Sequence, residues 1–292
     1  MASSCSASRR ASKAYRQMPL LYGIPVLFPP NRIENGRFVY NGREYQFERN
    51  EKNTGHHAHG MVYQRRWELL KGSAEAGEAV IVTKFDSAQH PDVIAQFPHR
   101  FRVRMTFTLR GSKLIQEAEV TNLSEEAFPW GLGYHTTFSF PFRGKEDRLD
   151  KCTLAVNAAK RWVLNSQFLP TGELQDFDGR ERLNAGLPME GVVLDDVFLS
   201  SAGCGETPNE ALLTDGNIGL KVAYRCDGNM TQWVLHNGGG GQGFFCPEPY
   251  TWVTNAPNLP LDRSLTGLQE LEPGMSRTVR CLIAIEPAET SV

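Results

Sequence analysis

The sequence predicts an all-β protein: a large antiparallel β-sandwich or barrel, built by residues 21–292 as one domain. Three observations carry this expectation. Apolar and polar residues alternate with period two in several separate runs, as half-buried strands require. Turn formers are plentiful, with 27 Gly and 17 Pro in 292 residues. Helical periodicity is confined to one short segment, so strands follow strands without the crossover helices that a parallel sheet needs.

The elements follow in order. Residues 37–40 and 43–47 flank Asn41-Gly42, a pair suited to the two positive φ angles of a tight hairpin. Residues 67–70 and 80–85 form a second strand pair around Gly72 and Gly77. Pro91 opens the single helix start, over 91–96, where its missing N–H does no harm. Phe101, Val103, Met105, Phe107 and Leu109 alternate with Arg102, Arg104, Thr106 and Thr108. That is a strand with one buried face. Arg110–Lys113 turns the chain, and 114–121 returns, with Glu117 and Glu119 available to face the arginines. Further strands are expected at 136–140, 154–157, 197–199, 220–224, 231–235, 243–246 and 278–285. Residues 171–195 read as a long loop.

Composition narrows the function classes. The formal charge is −2 and the pI near 6.4, so no global field draws nucleic acid or an anionic membrane. No run approaches the ~18 apolar residues of a membrane span. Residues 1–20 lack an apolar signal core; rich in Ser, Ala and Arg, they read as a disordered tail or a cloning remnant, with an organelle transit segment as the alternative, and the expected location, from the cysteine usage, is cytoplasmic. The six cysteines are scattered without a C-x-x-C pair, which predicts reduced thiols rather than disulfides or a zinc site.

Gly238 to Gly243 resembles a phosphate loop, but no Lys-Ser/Thr follows and a strand does, so it reads as a hairpin loop. His56, His57 and His59 cluster. In an extended segment His57 and His59 share a face, yet the downstream carboxylate of a metal site is missing, and no metal is assigned. His135 sits in an aromatic and glycine-rich run at a strand end. Glu248 follows apolar Phe244-Phe245-Cys246 and is bracketed by Pro247 and Pro249. The second proline holds it extended. A carboxylate placed there is desolvated, which raises its pKa and suits it to act as a base near neutral pH.

Several segments resemble, in order, the aldose 1-epimerase (galactose mutarotase) superfamily. They are Gly23–Pro29 with Asn31-Arg32-Ile33, His59-Gly60, Gly133-Tyr134-His135-Thr136-Thr137-Phe138, and Asp195-Asp196-Val197-Phe198. Pro247-Glu248-Pro249, Asn255-Ala256-Pro257-Asn258 and Leu271-Glu272-Pro273-Gly274 complete the set. The resemblance implies a cofactor-independent isomerase that interconverts the α and β anomers of a hexose. It casts Glu248 as general base, His135 as general acid and His59 as the group beside the ring oxygen. Arg32 and Asp195 would bind sugar hydroxyls. A carboxylate and an imidazolium on opposite sides of the sugar would open and reclose the hemiacetal ring. Three departures stand out. Only about thirty residues precede the Asn-Arg-Ile segment, Asn255 replaces a usual Asp, and His57 competes for the place given to His59. A hexose 6-phosphate substrate, gripped by Arg65 or Arg66, and a non-catalytic sugar sensor are the alternatives.

Overall fold

Two extended antiparallel sheets pack face to face, and the cleft lies along one of them. The structure, a computed structural model, describes residues 15–144, 146–201 and 209–288. Most of the expected tail, Cys5 and Cys204 lie outside those residues.

The larger sheet has nine strands, in the order Leu187–Pro188, Cys152–Val156, Asn209–Asp215, Leu220–Cys226, Ser276–Pro287, Lys113–Asn122, Phe101–Arg110, Glu78–Asp86 and Glu68–Glu75. Its spine is the long hairpin foreseen from the alternating run. Phe101, Val103 and Met105 are buried, and Arg104 is exposed opposite Glu119. Arg102 is drawn instead to Asp86, 3.9 Å away on the neighbouring strand. The alternation overstates the core at its far end. Leu109 and Ile81 there are 48 % and 49 % exposed, and Leu69, on the edge strand, is 65 % exposed.

The second sheet orders Val26–Leu27, Gly133–Tyr134, Phe244–Tyr250, Gln232–His236, Asp195–Ser200, Ala158–Leu164 and Pro170–Gln175, with Phe138–Ser139 also paired to Phe244–Tyr250. Trp130, Trp162, Trp233, Trp252, Tyr134, Tyr224 and Tyr250 are fully buried in the core. Truncating one such ring typically costs about 3–5 kcal/mol. Buried indole N–H groups take partners where they can: Trp162 donates to Gln232 and Trp233 to Asn209, each at 2.9 Å.

The Asn41-Gly42 hairpin forms as expected, with φ of 48° and 76°, and Pro91–Gln96 is an α-helix opened by its proline. Three expectations fail for identifiable reasons. Residues 171–195 are not a loop: they include most of the strand Pro170–Gln175, the helix Arg180–Ala185 and the strand Leu187–Pro188. Each is six residues or fewer, too short to display a period. Residues 136–140 are not one strand. Pairing occurs at Gly133–Tyr134 and Phe138–Ser139, and His135-Thr136-Thr137 lies between. Finally, the strand at 244 does not stop at Pro247 but runs to Tyr250.

That last strand explains how a central position tolerates two prolines. Gly243 O accepts from Phe140 N, and Thr251 N donates to Leu132 O. Odd-numbered residues therefore present their backbone groups toward the Gly133 and Phe138 strands, and even-numbered ones toward residues 232–236. In this register Pro247 falls opposite Thr136, where residues 135–137 leave the ladder, and Pro249 opposite Tyr134 at the edge of that gap, so neither missing N–H interrupts the ladder to residues 232–236. The same break frees His135 to turn toward Glu248.

Candidate active site

Glu248 and His135 meet across this gap. Glu248 is 2 % exposed, and its Oε1 lies 3.4 Å from His135 Nε2. The Tyr250 hydroxyl donates to Oε2. Tyr250 stands two residues along the same strand, hence on the same face. Gly133 lies beneath the Tyr250 ring, and a Cβ there would run into it. His135 is anchored through its backbone N–H, which donates to Pro25 O at 3.1 Å.

The pair's electrostatics run in opposite directions. Burial raises the Glu248 carboxyl to about 8, with the Tyr250 hydrogen bond and the charge of His236 pulling it partly back. Burial lowers the His135 imidazole to about 4, and His236 adds to that shift. Between those values the two groups share a single proton.

His59 packs edge-on against His135, with ring centroids 5.4 Å apart. Burial, then the neighbouring His135 and Arg32, hold its imidazole well below the ordinary range. The extended-segment expectation for His57 and His59 fails because His59 adopts φ 65° and Gly60 φ 73°. Gly60 is required there, since a Cβ would strike the Phe28 and Pro29 carbonyls. The turn sends the two histidines apart. His57 packs on Phe47, centroids 5.0 Å apart, and its Nδ1–H donates to the Glu48 carbonyl at 2.8 Å.

Arg32 reaches the site because Arg32–Ile33 pairs with His57–Ala58. Its guanidinium is half-buried and clamped by Glu51 through three contacts of 2.8–3.0 Å. It also lies 5.1 Å over the Phe168 ring. Asn255 braces the segment in the left-handed region, φ 61°. Its Oδ1 accepts from Glu34 N at 3.0 Å and Asn258 Nδ2 at 2.7 Å. Those are acceptor contacts that an Asp would make equally, so the departure at this position keeps the local structure. Asp195 is exposed at the start of its strand, opposite His236 in register, with Oδ1 3.3 Å from His236 Nδ1. That bond raises the His236 imidazole above its ordinary range.

A cavity of about 600 Å³ opens over His135 and His236, walled by Leu20, Tyr63, Gln64 and Phe244 among others. The five residues singled out from sequence thus lie in one region: Glu248 and His135 in contact, His59 against His135, and Arg32 and Asp195 near enough to act on Glu248 through their charges. One expectation is corrected. Acid and base do not stand on opposite sides; they touch, with His135 at the cavity and Glu248 buried against it.

Comparison with known proteins identifies the family. A family profile described as Aldose 1-epimerase matches residues 7–284. The chain belongs to the aldose 1-epimerase family. A galactose mutarotase-like protein from Clostridium acetobutylicum superposes with a TM-score of 0.87 at 30 % identity, covering 94 % of this chain and 82 % of that one. Galactose 1-epimerase from Lactobacillus acidophilus shares the fold, with a TM-score of 0.72 at 16 % identity, over 93 % and 81 % of the two chains. The uncharacterized protein YphB of Escherichia coli is 30 % identical over 146 residues, 50 % of this chain and 44 % of its own. The chain spans less than half the length of such curated relatives. Among the described residues no helix is long and apolar enough to cross a membrane.

Two members of the cluster escaped the sequence reading. Tyr250 was legible only if the strand was carried through both prolines, which puts 248 and 250 on one face. His236 had no local signal, because its role depends on strands 41 residues apart in sequence pairing at Asp195.

Proposed function

We propose that this protein is an aldose 1-epimerase acting on an unphosphorylated hexose, with Glu248 and His135 as its proton-transfer pair. The observation that carries the proposal is their contact, one buried carboxyl raised to about 8 beside one imidazole that borders a cavity and is lowered to about 4. The anomeric oxygen and the ring oxygen of an aldose are both bonded to C1. An acid and a base serving them must therefore be neighbours. In ring opening Glu248 takes the proton of the anomeric hydroxyl while His135 gives one to the ring oxygen. The C1–O5 bond breaks and leaves an aldehyde. Rotation about C1–C2 exposes its other face. Reclosure reverses both transfers: Glu248 protonates the carbonyl oxygen, and neutral His135 accepts the proton of the attacking hydroxyl. His59 stands beside His135 to receive the ring oxygen, and Arg32 and Asp195 are placed to take hydroxyls. Glu51 fixes the Arg32 fork so that little rotamer freedom is lost on binding.

The choice of a neutral sugar rests on charge. No Lys or Arg is among the described residues lining the cavity. Arg65 is paired with Asp92, and Arg66 is exposed. A phosphate in that cavity would meet no guanidinium among its described lining residues. The test is anomer interconversion followed by one-dimensional NMR with glucose, galactose and glucose 6-phosphate. Catalysis of a free hexose with the phosphate ester turned over at least ~10-fold less well is expected, since a buried unpaired charge is strongly penalised. Preference for the phosphate would reverse the substrate assignment, and no turnover of any of the three would leave a sugar-binding role.

A further inference from the structure

The mechanism leaves one chemical group at the pair unused. Cys246 lies two residues before Glu248 on the same strand, so its thiol shares the Glu248 face, and it rests 3.2 Å from the Thr137 hydroxyl. A sulfur of Cys246, a ring nitrogen of His135 and a carboxylate oxygen of Glu248 all fall within 4.8 Å of one another, and all three residues are buried. We propose that His135, Cys246 and Glu248 form a binding site for zinc, and that zinc bound there competes with the sugar.

Four features carry this inference. The donor set is one imidazole, one thiolate and one carboxylate, each a zinc ligand; the thiolate favours zinc over the oxygen-seeking magnesium and calcium. The spacing is close to need. Tetrahedral zinc with bonds of ~2.0–2.3 Å separates its donors by roughly 3.3–3.8 Å. The imidazole and carboxylate already stand at 3.4 Å, so closure falls to the sulfur. The charge balances, because two anionic ligands neutralise the dication and the buried site gains no net charge. The geometry leaves a path and an open position: Tyr250 occupies Oε2, leaving Oε1 to the metal, and His135 borders the cavity. On binding, the thiol proton and the proton shared by Glu248 and His135 leave to solvent, two per zinc. Sequence spacing gave no warning, since residue 135 meets residues 246 and 248 only in the fold.

The binding claim stands apart from the proposed activity; the competition claim rests on it. Protein freed of metal with EDTA is titrated with zinc chloride by calorimetry, and with cobalt chloride by absorption. One zinc per chain is expected, with a thiolate-to-cobalt charge-transfer band. Cys246→Ser should weaken zinc binding at least ~10-fold and abolish the band, whereas Cys226→Ser should keep both. Failure of the wild-type protein to bind zinc, or a band that survives Cys246→Ser, overturns the site. In the activity arm, zinc should depress kcat/KM over the same concentration range in which it binds, and EDTA should restore it. Cys246→Ser should turn over normally and resist zinc. Stoichiometric binding without inhibition overturns the competition. Binding with no epimerase activity on any hexose upholds the site and removes the catalytic reading.

Discussion

On the proposed mechanism Glu248 and His135 titrate as one unit, and their shared proton sets the pH range of activity. Below about 4 the pair holds two protons and lacks a base; above about 8 it holds none and lacks an acid. A plot of kcat/KM between about pH 3 and pH 10 should be bell-shaped with limbs near those values, which belong to the pair rather than to either residue. The Tyr250 hydrogen bond opposes the rise of Glu248, so Tyr250→Phe should carry the alkaline limb upward. A flat profile would assign the proton transfers to other groups. At this scale the sequence was informative where local context suffices. An acid after an apolar run, flanked by prolines, announced its own desolvation. It was silent on partners. Nothing near residue 135 says which carboxylate it meets, and nothing near Glu51 says that it clamps Arg32.

At the scale of elements, the site depends on the break between Gly133–Tyr134 and Phe138–Ser139 and on the proline strand facing it. Gly133→Ala tests that dependence. Its Cβ cannot coexist with the Tyr250 ring, so the strand carrying Glu248 must shift. Overpacking of this kind costs about 1–3 kcal/mol. The displacement of Glu248 should lower kcat/KM by at least ~10-fold, because small misplacements of reacting groups are costly. Asn255→Asp, which keeps both acceptor contacts, should turn over close to wild type. Thermal unfolding and NMR anomer exchange on the two variants check both outcomes; equal activity in Gly133→Ala and wild type would mean that the contact does not position the base. The long hairpins were legible because eight or more alternating residues state their face. The strand Ala158–Leu164 was missed because Lys160 and Arg161 interrupt its apolar positions, although Trp162 is fully buried. The strand at 244–250 was cut short because proline normally ends a central strand, and only the gap beside it lifts that rule.

The whole molecule is a scaffold that keeps an ionisable pair out of water, and that arrangement opposes stability as well as enabling chemistry. The folded Glu248 has a raised pKa, so its contribution to stability is present below the unfolded value of 4.5 and lost as pH rises toward about 8. His135 acts oppositely: its lowered pKa contributes above the unfolded value of 6.5 and is lost as pH falls toward about 4. The antiparallel sandwich was legible from alternation and turn chemistry alone, whereas the pairing of two sheets whose strands come from distant segments was not. The most direct test of the account is Glu248→Gln, which keeps the size and hydrogen-bonding reach of the side chain and removes the base. Its kcat for anomer interconversion should fall by at least ~10²–10³, the range that general-base catalysis supplies. Sugar affinity should change far less, and unfolding near pH 8 should occur at no lower temperature than in wild type, since a buried charge has been removed. A folded Glu248→Gln protein that interconverts anomers at a near-normal rate would contradict the account and move the base to Asp195.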